Sequence, residues 1–173
     1  MKITVLGSGG WGTALALLLL ENGNDVTLWS YSEEECSHMA QHRENPMLAG
    51  VPLPETLKLT TDLSAVSDAQ TVVFATPSFA VRMTAEKVKD LLRPGTVLVS
   101  VSKGIEKDTS LRLSQVISSI VGEKCPVVVL SGPSHAEEVG RGLPTGCVAA
   151  SVSQAAALTV QDAFMNDRFR VYT

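Results

Sequence analysis

At 173 residues, 45% of them apolar and with a mean hydropathy of +0.18, the chain has the length and content for one well-buried domain and is not a disordered segment. Its formal charge of −4 argues against nonspecific binding to nucleic acid or to an anionic membrane, so a phosphate ligand would have to be held by local backbone donors and a few basic side chains. Aromatic residues make up only 5% while Val, Ala and Leu dominate, which suits a parallel sheet buried on both faces, and three unevenly spaced cysteines (Cys36, Cys125, Cys147) fit a reducing compartment better than a disulfide framework or a zinc site.

The first predicted strand, Lys2 to Leu6, runs straight into Gly7-Ser8-Gly9-Gly10-Trp11-Gly12, and an apolar helix from Thr13 to Leu20 runs straight out. This is the G-x-G-x-x-G fingerprint of a dinucleotide-binding turn in its strand–turn–helix context. Gly7 permits the tight turn, Gly9 lets a pyrophosphate approach the backbone, and Gly12 lets the helix pack close to the strand. The free N–H groups and positive end of that helix then face a diphosphate. The apolar run from Ala14 to Leu20 is too short to span a membrane, which takes about 20 residues. The N-terminus reads as a strand rather than a signal peptide, and cytoplasmic residence follows as the default.

Asn22-Gly23-Asn24 stops the first helix, and Asp25 to Trp29 forms a second strand. Ser32 caps a polar helix through Glu33-Glu34-Glu35 to about Arg43, which Asn45-Pro46 ends. Pro46 to Pro54 lacks periodicity and is expected to be a surface loop, followed by a short strand at Leu57 to Thr60 and a helical turn from Asp62. Thr71 to Ala75 is a buried strand, and Pro77 starts a helix whose apolar stripe is Val81, Thr84, Ala85, Val88, Leu91 and Leu92. Then come a strand from Thr96 to Val101, a helix near Ser110 to Ile120, and a strand from Val127 to Leu130. The turn formers Ser131 to Ala136 precede a further strand at Thr145 to Ala150, a helix at Ser153 to Phe164 and a terminal strand at Phe169 to Tyr172. Strands alternating with helices predict a Rossmann-like, doubly wound, mainly parallel α/β sheet with helices on both faces, occupying residues 1–173 as one domain. The chain stops directly after a strand and so reads as a piece of a longer protein.

Ligands of such sheets bind outside the carboxyl ends of the strands, so the residues that follow each strand carry the information. They are the glycines, then Ser30-Tyr31-Ser32, Thr76-Pro77-Ser78, Ser102-Lys103-Gly104 and Ser131-Gly132-Pro133-Ser134. Lys103 is the one cation among them and is the candidate to meet a substrate oxygen or polarise a carbonyl. His135 is an acid/base by residue type, although a histidine in a Gly-Pro loop is more often simply at the surface; His38 and His42, spaced i, i+4 without an H-E-x-x-H pattern, read as a solvated face, and no metal is expected. An acid at the end of the second strand would favour NAD; Ser30 and Tyr31 stand there instead, with Arg43 within conceivable reach on the next helix, so NADP is favoured over NAD, with use of both admitted.

Taken together these turns resemble bacterial NAD(P)-dependent glycerol-3-phosphate dehydrogenase. The resemblance rests on Gly7 to Ala16, Val26 to Trp29, Ala75 to Ser78, Ser102 to Glu106, Leu130 to Glu138, Gly142 to Thr145 and Phe169 to Tyr172, in the family's order. Ser-Lys-Gly followed by Ser-Gly-Pro-Ser is the specific part. The resemblance covers essentially the whole chain but only the N-terminal half of the family's length. It implies cofactor contacts at Gly10, Trp11, Tyr31, Lys103 and Ala136, and substrate contacts at Lys103, Gly132 and Ser134. The segment from Asn45 to Val51 is shorter than the family's Asn-x-x-aromatic-Leu-Pro-Gly form, which leaves the family's cofactor contact there unsupported. The family's general acid/base lysine and its helical substrate domain lie beyond Thr173. The implied activity is hydride transfer between a nicotinamide and C2 of dihydroxyacetone phosphate, giving sn-glycerol 3-phosphate for phospholipid synthesis, with this chain the cofactor half and inactive alone. The substrate is a small phosphorylated molecule, and a homodimer is the candidate assembly of the parent. A related β-hydroxyacid-type dehydrogenase or ketoacid reductase domain, and a noncatalytic dinucleotide-binding module, are the alternative readings.

Overall fold

Strands that are apolar on both sides need cover on both faces, and the computed structural model, which describes residues 1–173, supplies it. In chain order the elements are β1 (Lys2–Leu6), α1 (Gly10–Glu21), β2 (Asp25–Trp29), α2 (Glu33–His42), β3 (Lys58–Thr60), β4 (Thr71–Phe74), α3 (Val81–Val88), β5 (Val97–Ser100), α4 (Leu113–Val121), β6 (Val127–Ser131), α5 (Ala136–Gly140), β7 (Thr145–Ala150), α6 (Gln154–Phe164) and β8 (Phe169–Tyr172). One sheet holds all eight strands in the order β3-β2-β1-β4-β5-β6-β7-β8. Pairing is parallel except between β6 and β7, so the sheet is Rossmann-like, doubly wound and mainly parallel, as the alternation of elements predicts. In register, Val5 faces Leu28 on one side and Val73 on the other.

Side-chain alternation splits the core in two. Ile3, Val5, Val26, Leu28, Val73 and Val99 point to the face packed by α1 and α6. Leu6, Trp29, Val72, Phe74 and Leu98 point to the face packed by α3 and α4. The core of α1 is buried almost all round because it lies under the sheet and against α5 and α6. No helix is long and apolar enough to cross a membrane.

Four local expectations change. Pro46 to Pro54 is not a surface loop: Pro46–Leu48 forms a 3-10 turn, and Leu48, Val51 and Leu53 are buried in the α1-side core. Apolar residues at irregular spacing fill a gap there without the periodicity that marks a helix or strand. Ser131 to Ala136 is followed by an unexpected short helix, α5, packed across α1. The helix expected from Ser110 begins only at Leu113, because Ser110 adopts a left-handed φ of 57° and Ile105 bridges Arg112. Helix α3 ends at Val88, which leaves Leu91 exposed while Leu92 stays buried.

Candidate functional site

Strand order reverses between β1 and β4, which opens a crevice at their carboxyl ends. The glycine turn lies on its floor. Gly7 holds φ +118°, and a Cβ there would come within 2.8 Å of the Ala75 carbonyl. A Cβ at Gly12 would lie 1.9 Å from the Gly7 carbonyl oxygen, and one at Gly10 would lie 2.6 Å from the Met47 carbonyl oxygen. Packing therefore demands glycine at these three positions. Gly9 differs: it caps α1 without any side-chain hydrogen bond, and a Cβ there would meet nothing within 4 Å. Its open side faces the crevice at the mouth of a helix whose first N–H groups have no protein acceptor, the arrangement that receives an anion. Asn45 holds the turn from behind, its amide donating to the Ser8 carbonyl at 2.8 Å and to the Thr13 hydroxyl at 2.7 Å.

The crevice encloses about 690 Å³, and Gly7, Gly9, Gly10, Trp11, Tyr31 and Lys103 all line it. Gly12 lies behind it, as a packing glycine should. At the β2 end Tyr31 is 74% exposed and meets Trp29 edge to face, with the Lys87 ammonium 5.7 Å from its ring centre. Phe79, 87% exposed, and Met83 add an apolar lining. Arg43 does not reach this end: it is turned to the Leu57 carbonyl and pairs with Glu55 at 2.8 Å. Thr76 is 5% exposed and lines the crevice, yet its hydroxyl has no hydrogen-bond partner in the protein. A buried orphan hydroxyl of this kind is costly unless a ligand or water satisfies it.

At the other end Lys103 and Trp11 form a wall shared with a second hollow of about 290 Å³, which Ser134 and Arg112 also line. Trp11 is fixed by donating its indole N–H to the Val101 carbonyl at 3.2 Å, and the Lys103 ammonium stands 5.9 Å from the ring centre. Lys103 makes no ion pair. Its loop is held instead by Glu106, which takes a two-bond fork from Arg82 of α3, both at 2.8 Å. The Arg82 guanidinium, aided by the Thr109 hydroxyl, holds the Glu106 carboxyl down at about 2.

Ser134 is buried with its hydroxyl donated to the Gly132 carbonyl at 3.3 Å. Gly132 and Ala136 line neither hollow. A Cβ at Gly132 would strike the Gly146 carbonyl oxygen at 2.4 Å, so β7 explains that glycine, and the Ala136 methyl sits against Gly10 at the start of α5. His135 is exposed at the cap of α5 and lines neither hollow. His38 and His42 stack at 4.4 Å on the outside of α2, and no three His, Cys, Asp or Glu side chains gather closely enough to hold a metal.

The sequence reading placed Thr76 on the strand-end rim without giving it a role of its own, and it missed the parts played by Asn45, Phe79 and Glu35. Phe79 follows the Thr76-Pro77-Ser78 turn after a strand, which was the available signal; Asn45 and Glu35 reach the site only through the fold.

A long crevice with backbone donors at its centre, an apolar end, an orphan hydroxyl and a lysine at the far end fits a dinucleotide lying extended across the strand ends. The fold and this site define a dinucleotide-binding domain. Residues 2–157 match the family model described as NAD-dependent glycerol-3-phosphate dehydrogenase N-terminus, and the chain belongs to that family. Over essentially its whole length it is 44% identical to glycerol-3-phosphate dehydrogenase [NAD(P)+] of Fusobacterium nucleatum and 50% identical to that of Moorella thermoacetica, covering 52% and 51% of those proteins. Among solved structures, the glycerol-3-phosphate dehydrogenase of Coxiella burnetii superposes with a TM-score of 0.93 at 35% identity, over 99% of this chain and 53% of that one. The chain thus spans about half the length of the relatives it matches.

Proposed function

We propose that residues 1–173 form the cofactor half of an NAD(P)-dependent glycerol-3-phosphate dehydrogenase, interconverting dihydroxyacetone phosphate and sn-glycerol 3-phosphate. The observation that carries the reading is the position of Lys103 on the wall common to both hollows, where one ammonium can meet a cofactor on one side and a substrate oxygen on the other. The nicotinamide, when bound, supplies or accepts the hydride. The amides around Gly9 and Gly10 hold the diphosphate, and the Trp11 ring closes the crevice at the reacting end. Lys103 then fixes the orientation of a substrate oxygen, with Ser134 beside it in the second hollow. A helical domain carrying the substrate-phosphate pocket and an acid/base lysine belongs to the family's other half. Three unpaired thiols support a reducing compartment such as the cytoplasm, and a homodimer of the full-length protein is part of the same reading.

The test is dihydroxyacetone phosphate-dependent oxidation of NADH and of NADPH by the chain at high concentration. Lost general acid catalysis alone costs about 10²- to 10⁴-fold, so turnover is expected at least about 100-fold below that of a full-length family member. Turnover within tenfold of such an enzyme would contradict the division of labour and make Lys103 itself the proton donor.

A further inference from the structure

At the β2 end of the crevice, Ser30 is fully buried and occupies the position where an acidic residue would meet an adenine ribose. Its hydroxyl is a junction. It accepts from the Ser8 hydroxyl of the glycine turn at 2.9 Å and from the Ser32 N–H at 3.3 Å, and it faces the Glu35 carboxylate at 3.5 Å. A glutamate three residues after a capping serine ordinarily reaches back to the N–H of the cap. Here Ser32 does cap α2, accepting from the Glu35 N–H at 3.2 Å, but its own N–H is already taken by Ser30. Glu35 is thereby directed to the end of β2, and it lines both the crevice and the adjoining hollow around His38.

We infer that Glu35, carried in from α2, is the specificity-determining residue for the adenine ribose: it accepts from the ribose hydroxyls and excludes a 2′-phosphate, so the chain prefers NADH to NADPH. Charge supports this. Among the residues lining the crevice and the adjoining hollow, the only lysine or arginine is Lys103, at the opposite end, while Glu34 and Glu35 stand at this one. A 2′-phosphate would meet two carboxylates with no lysine or arginine at this end of the lining to answer it, His38 being the one imidazole there, and like-charge juxtaposition of this kind is what suppresses a wrong ligand. Arg43 is engaged elsewhere, and Lys87 lines neither hollow. Ser30 and Tyr31 alone leave the 2′-phosphate admissible; Glu35 does not.

The inference rests on the dinucleotide reading of the crevice, and the experiment separates the two. NADH and NADPH are titrated into the 173-residue chain and into Glu35→Gln and Lys87→Ala, with binding followed by calorimetry. The wild-type chain should bind NADH about tenfold or more tightly than NADPH, and Glu35→Gln should bring the two within about threefold, while Lys87→Ala leaves the ratio in place. Glu35 is exposed in the first turn of α2, so the glutamine variant retains the fold, which circular dichroism checks. Equal or tighter NADPH binding by the wild type, or a ratio unmoved by Glu35→Gln, overturns the role of Glu35 while leaving the site intact. A clear strengthening of the NADH preference in Lys87→Ala would show that this lysine answers a 2′-phosphate and overturn the assignment of selectivity to Glu35 alone. Failure of a folded chain to bind either dinucleotide overturns the site reading and this inference with it.

Discussion

Glu106 lies in neither hollow, yet it shapes the residue that lines both. The Ser-Lys-Gly turn leaves β5 as a loop, and an exposed loop lysine would sample many positions without an anchor. The anchor is the Arg82–Glu106 fork, with the Glu106 side chain only 15% exposed, reinforced by the Ile105–Arg112 bridge. Because the folded-state acidity of Glu106 is held near 2, well below the ordinary glutamate value of 4.5, its stabilising contribution is complete above about pH 5 and is lost as pH falls through the interval down to 2. Glu106→Gln is therefore expected to lower the melting temperature at pH 7 and to shrink the gap from wild type as pH falls from 5 towards 2.5, recorded by thermal melts across that range. A gap independent of pH would show that the fork contributes nothing ionic.

At the scale of elements, the segment after α2 is the part whose role the linear sequence concealed. Asn45-Pro46 reads as a helix stop, and it is one, but Asn45 is also buried and holds the carbonyl of Ser8 and the hydroxyl of Thr13. Asn45→Ala removes two hydrogen bonds and leaves the Ser8 carbonyl and the Thr13 hydroxyl only each other at 3.2 Å, and at about 0.5–1.5 kcal/mol for each bond lost the total is about 1–3 kcal/mol. Urea denaturation should show a loss in that range together with weaker dinucleotide binding; an unchanged midpoint would mean that the turn holds itself. The strands and the glycine turn, by contrast, were legible, because each depends on residues adjacent in sequence: alternation around Val5 and Val73, and glycines where backbone approaches backbone. Asn45, Glu35 and α5 were not legible for one shared reason. Each is set by something far along the chain — Ser8 for Asn45, the Ser8 hydroxyl that joins the glycine turn to Ser30 for Glu35, the flank of α1 for α5 — and local pattern is silent about such partners. The reversal of β7 was likewise invisible, since an antiparallel return differs from a parallel one only in the path of the connection.

At the scale of the whole molecule, the first helix is tied to the last two elements at the end of α1 away from the glycine turn. Asn22 at the end of α1 donates to the Ala163 carbonyl of α6 at 2.9 Å and accepts from Asn166 at 2.9 Å, and Glu21 pairs with Arg168 beside β8. The glycine turn, the Lys103 loop and the β7–β8 extension are therefore joined through one sheet with a core on each face. A body of this kind should hold a dinucleotide although it spans only about half the length of its relatives. Gly9 offers the sharpest probe, since a methyl there would touch no protein atom but would stand where the proposed dinucleotide's pyrophosphate approaches. The decisive measurement is calorimetric titration of NADH and NADPH into the chain and into Gly9→Ala. Saturable one-to-one binding by the wild type, markedly weakened in a Gly9→Ala variant of unchanged melting temperature, is the expected result. A folded wild-type chain that binds neither dinucleotide at millimolar concentration, or a Gly9→Ala variant that binds as well as wild type, would contradict it.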